Sequence, residues 1–327
     1  MLKLFMSLSR RILAVATVSA ITVIAIGASP ALAQQKLRIG NFQNTTVTPL
    51  FHALDKGYFK AEGIDVEIVP IPGGPAAISA VMAGEADIAW AHPVPVINAR
   101  TNGVPIKLAL TTSQEFPPDN YTIWIVATGK SGIKTSADLK GKTVMINANG
   151  AAADLIVRDR LSGAGLQRSD IKTVVVPFPQ MQAALELGNA DAAVTIDSIH
   201  QPIMASEKIK AHVVATGTID GIKSPVTSSG FFGREDWLKK NRDLLVRFGR
   251  AYEKASKEVF ADRALQTALV IKITGVSKAI ADGSIMSVYR DLYVKPEAIQ
   301  PLIDAMAKTS MIKERFPASE VIESLAN

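Results

Sequence analysis

The pattern Gly-x-Ala-Asp-x-Ala occurs twice in this chain, each time inside a similar nine-residue stretch. Val81-Met82-Ala83-Gly84-Glu85-Ala86-Asp87-Ile88-Ala89 returns as Leu185-Glu186-Leu187-Gly188-Asn189-Ala190-Asp191-Ala192-Ala193, 104 positions on when Val81 is set against Leu185, with Gly-x-Ala-Asp-x-Ala kept. Each copy leaves a helical pattern and enters an apolar strand pattern. Glycine ends a helix in the left-handed conformation, and Asp suits the turn that follows. Two such joints predict two similar α/β lobes.

The segments around the first copy alternate in the same way. Lys36–Ile39 reads as a strand, and Thr48-Pro49 opens a helix through Phe51, Leu54 and Tyr58. Asp65–Ile71 alternates as a strand, Gly73-Gly74-Pro75 opens a helix over Ala76–Ala83, and Ala86–Ala91 is a third strand. His92-Pro93 then introduces an apolar segment to Ala99. Proline sits at each helix start, where its fixed φ and missing N–H cost nothing. Strands alternating with helices over short loops predict a parallel, doubly wound sheet. Beyond them, strands are expected at Thr122–Ala127, Thr143–Asn147, Thr173–Pro177 and Asp191–Ile196, with helices near Ala151–Leu161 and Gln180–Leu187. Ser113–Asn120 and Gly217–Pro225 read as crossings between lobes. The division expected is 34–115 with 220–327 as lobe I, 120–216 as lobe II, and hinges at about 113–121 and 216–226. The rest reads as largely helical, with Leu244, Leu245, Phe248, Tyr252 and Val259 on one side of Arg242–Ala261 to brace the first lobe.

The first 33 residues carry an export signal: Lys3, Arg10 and Arg11, an apolar run over Ile12–Ile26, and a small-x-small site at Ala31-Leu32-Ala33. Cleavage after Ala33 leaves a mature chain from Gln34. Ser9-Arg10-Arg11 leaves the twin-arginine route open beside the general one. The signal holds three of the 36 basic residues and none of the 30 acidic ones, so the formal net charge of +6 falls to +3. No basic run follows it, which argues against nucleic acid. The chain has no cysteine, which removes disulfides, thiol chemistry and a lipid-modified anchor together.

Apparent catalytic signatures do not survive inspection. Ser131-Gly132-Ile133-Lys134 has Ser-x-x-Lys spacing but lacks the Ser-Asp-Asn and Lys-Thr-Gly that would accompany it. Gly141-Lys142-Thr143 and Gly129-Lys130-Ser131 lack the upstream glycine of a phosphate loop. His52, His92, His200 and His212 show no metal-ligand spacing, and no cofactor or metal is expected. His92 and His200 fall at or just beyond strand ends, the ligand face of an open α/β sheet. Asp197 does too, and could equally cap the helix after it.

Several runs resemble the nitrate/sulfonate/taurine-type periplasmic binding proteins. They are Leu54-Asp55-Lys56-Gly57-Tyr58-Phe59 through Gly63-Ile64-Asp65-Val66-Glu67, Gly84-Glu85-Ala86-Asp87, Gly103-Val104-Pro105-Ile106-Lys107, and Ser131-Gly132-Ile133-Lys134 through Ala137-Asp138-Leu139-Lys140-Gly141-Lys142. The resemblance implies a type II periplasmic-binding fold, with two doubly wound lobes joined by two crossover segments and solute gripped between them. It implies a monomer that delivers a small anionic solute to an ABC permease and its ATPase, without catalysis. Its site residues carry over as the first-strand loop (Asn41, Gln43, Asn44, Thr46), Gly73 and Gly74, the turn of His92 and Pro93, and the helix start at Asn149, Gly150, Ala151 and Ala152; Trp90 before His92, and Asp197 and His200 by their place at a strand end, are expected to join them. The chain departs from the family where Gly150-Ala151-Ala152-Ala153 lacks hydroxyls and where Ile196-Asp197-Ser198 stands for Trp-Glu-Pro. Bare helix N–H groups still suit an anion. Two rivals share the fold: an intracellular thiamine-pyrimidine synthase, which needs cysteines, and a ligand sensor for a signalling partner.

Overall fold

The computed structural model describes residues 34–42, 44–118, 120–284 and 291–325. The expected export signal lies outside them. Ten strands form two five-stranded sheets. The first sheet holds β1 (Gln35–Asn41), β2 (Ile64–Pro70), β3 (Ile88–Ala91), β4 (Ile106–Glu115) and β10 (Val226–Arg234). The second holds β5 (Ile123–Ala127), β6 (Thr143–Ile146), β7 (Lys172–Val175), β8 (Ala192–Ile196) and β9 (His212–Thr216). Their orders, β2-β1-β3-β10-β4 and β7-β6-β8-β5-β9, are equivalent strand for strand.

Around the first sheet run α1 (Thr48–Asp55), α2 (Tyr58–Ala61), α3 (Gly74–Met82) and α4 (Pro93–Thr101). Around the second run α5 (Ala152–Gly163), α6 (Phe178–Glu186) and α7 (Asp197–Met204). The chain passes between sheets at 116–122 and 217–225. After β10 come α8 (Glu235–Lys240), α9 (Arg242–Ala261), α10 (Arg263–Thr274), α11 (Lys278–Gly283) and α12 (Pro296–Lys308).

The repeated motif has one job in both sheets. Gly84 and Gly188 take φ of 73° and 77° and end α3 and α6. Asp87 then accepts the backbone N–H of Arg38 on β1 at 2.8 Å, and Asp191 accepts that of Thr143 on β6 at 2.8 Å. In each sheet the carboxylate satisfies an edge N–H of the neighbouring parallel strand, which fixes the register of the central pair. In the first sheet Arg38 also grips Asp87 and the Gly84 carbonyl.

The structure amends the sequence reading in four places. The sheets are mixed, because β10 runs antiparallel to β3 and β4, and β5 antiparallel to β8 and β9. These two strands enter their sheets directly after a crossing, with no helix to return the chain to the starting end. β10 stands where helix was expected: Val226–Gly233 is buried throughout, so no polar–apolar alternation marks it. Ser113–Glu115 is the end of β4 and not loop. Gly57, at φ 70°, divides the first helix into α1 and α2.

The α9 bracing is as its apolar face implies. Phe248 is fully buried, stacks on Phe59 at 5.0 Å and meets the edge of Phe231 at 5.3 Å. α12 does more than brace one sheet, since it packs on α4 and β10 and also touches α5.

Candidate functional site

The parallel strands β1, β3, β6 and β8 all end at one cavity of about 70 Å³. One water needs roughly 10–15 Å³ on this measure, so the space suits a compact solute several times that size. Three turns and the β4–β10 strand pair of the first sheet, with four segments of the second, supply its wall.

After β1, Phe42, Asn44, Thr45 and Thr46 line it. Asn44 caps the short turn before α1, accepting the N–H and hydroxyl of Thr46 and donating to the Phe42 carbonyl. The two expected polar groups, Asn44 and Thr46, therefore face the cavity already bonded to each other. Gly74 opens α3 against Pro95; a Cβ there would stand 3.1 Å from the Pro95 ring, so the helix start and α4 meet only with glycine in place. Trp90 donates its indole N–H to Thr112 at 3.0 Å and takes Phe42 edge-on at 4.8 Å. Thr112, Ser113, Ser228 and Ser229 form a hydroxyl cluster across β4 and β10, and Ser113, Ser228 and Ser229 reach the wall.

His92 caps α4. Its Nδ1 accepts the Val94 N–H at 3.1 Å, so the neutral ring carries its proton on Nε2, which points at Thr218 Oγ1 3.5 Å away. Burial lowers its pKa to about 3, leaving a neutral dipole at physiological pH.

From the second sheet come Thr122 and Ile123, Asn147 after β6, Ala151–Ala153 at the start of α5, Phe178 at the start of α6, and Ile196, Asp197 and Ser198 between β8 and α7. α5 begins on Ala152, with no side chain capping it. Its first N–H groups have no intrahelical carbonyl partner, and its dipole presents positive charge to the cavity. Beside them Asn147 Oδ1 is buried with no hydrogen-bond partner, an amide able to turn either face to a ligand. Across the cavity Asp197, 5% exposed, accepts the Thr45 hydroxyl at 3.1 Å. This bond joins the two halves over the cavity. Among the described residues of the wall there is no Lys or Arg.

Of the expected site residues, Asn44, Thr46, Gly74, Trp90, His92, Ala151, Ala152 and Asp197 meet at this cavity. Gln43 lies outside the described residues. Asn41 is buried at the end of β1 and faces a neighbouring groove with Phe51, Pro72 and Pro179. Gly73 and Pro93 shape their helix starts without reaching the wall. Asn149 and Gly150 do not reach it either: Gly150, at φ 72°, turns toward α4, where a Cβ would stand 2.8 Å from the Asn98 amide. Its positive φ is what asks for glycine there. His200 is set behind the wall, stacked on Trp124 at 4.2 Å with Nδ1 on Thr195 Oγ1, and burial lowers its pKa to about 4. His52 binds Glu258 and His212 binds the Ile133 carbonyl, both away from the site. Sequence reasoning missed Phe42, Phe178 and the serines of β4 and β10. Phe178 follows Pro177 at a strand-to-helix joint and could have been found by the same rule that found His92. The serines sit on strands that the hydropathy pattern does not reveal.

Comparison with known proteins bears on the family and the fold. A family model described as NMT1/THI5 like matches residues 44–264. An Escherichia coli (strain K12) protein named for binding aliphatic sulfonates is 23% identical over 271 residues, 82% of this chain and 80% of that one. The alkanesulfonate-binding protein SsuA from Xanthomonas axonopodis pv. citri, solved bound to MOPS, superposes with a TM-score of 0.75 at 21% identity, covering 91% of this chain and 99% of that one. The desulfurization enzyme DSZB shares the architecture at a TM-score of 0.63 and 13% identity, covering 89% of this chain and 96% of that one, so the fold also carries catalysis elsewhere. The fold is the type II periplasmic-binding fold.

Proposed function

The chain belongs to the NMT1/THI5-like family, and from that premise we propose that it is the periplasmic solute-binding component of an ABC importer. In this reading it captures a small organic acid by lobe closure and presents it to a permease and its ATPase. The single observation that carries this is the cavity itself: its wall comes from the strand ends of both sheets, and the Thr45–Asp197 bond closes over it. The first sheet with its helices acts as lobe I, the second as lobe II, and the two crossings as hinges. Bound solute favours the closed state only through contacts absent from the open one. A wall shared between lobes supplies such contacts.

The wall supports a solute of two parts. The bare start of α5 and the Asn147 amide suit an acidic head group without any cationic side chain. Phe42, Trp90 and Phe178, with Pro95, Ile123 and Ile196, suit an apolar body, more than a bare inorganic ion would use. His92 contributes a dipole and no charge. Binding without catalysis is the reading the wall favours: His92 there pairs with a backbone N–H and a threonine, and the chain has no cysteine nucleophile.

No helix among the described residues is long and apolar enough to cross a membrane. The reading places the mature monomer, cleaved after Ala33, in the periplasm.

A thermal-shift screen of the mature protein against monoanionic organic acids and sulfonates tests the proposal. A solute at about 1,000 times its Kd adds about 4 kcal/mol of stability. The hit should bind one per chain by calorimetry and reduce the radius of gyration in solution scattering. A hit that saturates without contraction refutes capture by closure.

A further inference from the structure

Glu115 is the last residue of β4 and is completely buried at the point where the first crossing leaves the sheet. Both of its carboxylate oxygens are engaged, and every donor lies in a crossing. Oε1 accepts the Thr122 N–H and the Thr122 hydroxyl, each at 3.0 Å. Oε2 accepts the Thr218 N–H at 2.9 Å. Thr122 ends the first crossing, one residue before β5. Thr218 stands near the start of the second crossing, two residues after β9. One side chain rooted in the first sheet thus holds both chain segments that lead to the second.

The same segments are tied to each other nearby. Gly217 donates its N–H to the Ile123 carbonyl at 2.8 Å, and a Cβ on Gly217 would collide with the Tyr121 ring. Both of the residues Glu115 holds connect to the cavity, one directly and one through a neighbour. Thr122 lines it directly, and Thr218 Oγ1 faces His92 Nε2, whose ring lines it. Burial of a carboxylate without a cationic partner is costly, and it raises the Glu115 pKa against the pull of its donors. The carboxylate satisfies a buried backbone N–H from each crossing at once, which no apolar side chain could do.

We infer that Glu115 is a positioning residue, the clasp that fixes the axis of lobe rotation by holding both crossings and links that axis to the cavity through Thr122 and the Thr218–His92 pair. The inference rests on the closure reading above. With the clasp intact, the second lobe turns about the Glu115 carboxylate, and the crossings move as one piece. Without it, the two crossings bend independently, and the lobes explore many relative orientations in place of a defined pair.

The absence of native cysteine makes the test direct. Ser79→Cys on α3 and Ala183→Cys on α6 place spin labels at exposed sites on equivalent helices of the two lobes. Pulsed electron double resonance on the ligand-free mature protein then reads the distribution of lobe distances. The unsubstituted background should show discrete populations, and Glu115→Gln, which replaces one acceptor oxygen by a donor, should broaden and shift them. His92→Asn keeps every donor that Glu115 holds but loses the ring that meets the Thr218 hydroxyl. It should leave the ligand-free distribution narrow and weaken the binding of MOPS, if MOPS binds, or of the strongest acid from the thermal-shift screen, by at least threefold. A purely structural Glu115 would lower Tm and leave the distance distribution unchanged; that result overturns the inference while the closure reading stands. A single narrow distance in the background, unchanged on saturation with the same probe, overturns both. If Glu115→Gln does not fold, Thr122→Val, which removes a hydroxyl donor to Glu115, must broaden the distribution, or the clasp is refuted.

Discussion

Stability should fall as pH falls from 6.5 toward 4, and His92 should account for a separable part of the loss. The folded ring is held neutral by geometry as well as burial. Its Nδ1 accepts the Val94 N–H, so a proton added there would set two donors against each other. The folded pKa is about 3, against an ordinary 6.5. The sign follows from which state binds the proton. Between these two values the unfolded chain takes up a proton that the folded chain refuses, so the unfolded state gains on acidification. Each pH unit inside the window is worth about 1.4 kcal/mol. From 6.5 down to 4 that amounts to about 3 kcal/mol, or a Tm lower by roughly 6–12 °C in a chain of this size. Above pH 6.5 the contribution is flat.

The control is His92→Asn, because asparagine is a good helix cap and can keep the Val94 N–H satisfied. Urea unfolding of wild type and variant at pH 7, 5.5 and 4 gives the two slopes. The variant should start somewhat less stable at pH 7, through lost ring packing, and should lose stability less steeply by about 1.4 kcal/mol per pH unit. His200 acts in the same direction, with its pKa lowered to about 4, but it is present in both proteins and cancels. Parallel curves for wild type and variant would refute the reasoning, since they would show that folding does not keep His92 neutral.

Three further outcomes follow from the geometry. Ala152→Asp should leave folding intact, as an acid suits a helix start by about 0.3–1 kcal/mol, yet abolish calorimetric binding of an acidic solute; unchanged affinity would place the head group away from α5. Thr45→Val removes the hydroxyl that bridges to Asp197 over the cavity, and a hydrogen bond to a charged group is worth about 1.5–3 kcal/mol, so affinity should fall at least tenfold by calorimetry while the urea midpoint moves little. Phe248→Ala empties the stack with Phe59 and Phe231 and should cost about 3–5 kcal/mol in urea unfolding, with no loss of solute affinity at temperatures where the variant is folded.

Much of the scaffold was legible because its joints carry chemistry. Proline at the helix starts, glycine at the ends of α3 and α6 and the Asp after each mark turns that backbone geometry demands. The limits of α9, Arg242–Ala261, follow from its apolar side alone. What escaped was the interior of the sheets. β10 and the end of β4 are buried on both faces and rich in Ser, Thr and Gly, so no period of two distinguishes them from loop or from helix. Of the site, the turns at strand ends could be named, but not which side of each turn faces inward. Asn149 and Gly150 precede the α5 start by the right number of residues, yet the packing of α5 against α4 turns them away. His200 follows β8 as His92 follows β3, yet it lies one helical turn beyond Asp197 and stacks behind the strand on Trp124.

The repeated motif and the cavity stand at opposite ends of the same strands, and that separation explains how one scaffold yields a specific site. Asp87 and Asp191 precede β3 and β8 and perform the same bond to the neighbouring strand. Four or five residues later those strands end in different chemistry: a neutral histidine cap in the first sheet, a carboxylate in the second. The helices that follow the adjacent strands differ likewise, Gly74 opening α3 and Phe178 opening α6. Where the two halves are alike, the residues satisfy backbone groups that any such sheet must satisfy. Where they differ, the residues face the cavity. A cavity assembled from unlike strand ends is asymmetric even though the sheets are equivalent. It has a helix start and an amide on one side, an acid bridged to Thr45 on another, and aromatic rings between them. On the proposed reading, such a wall would fix the orientation of a solute with a head and a body.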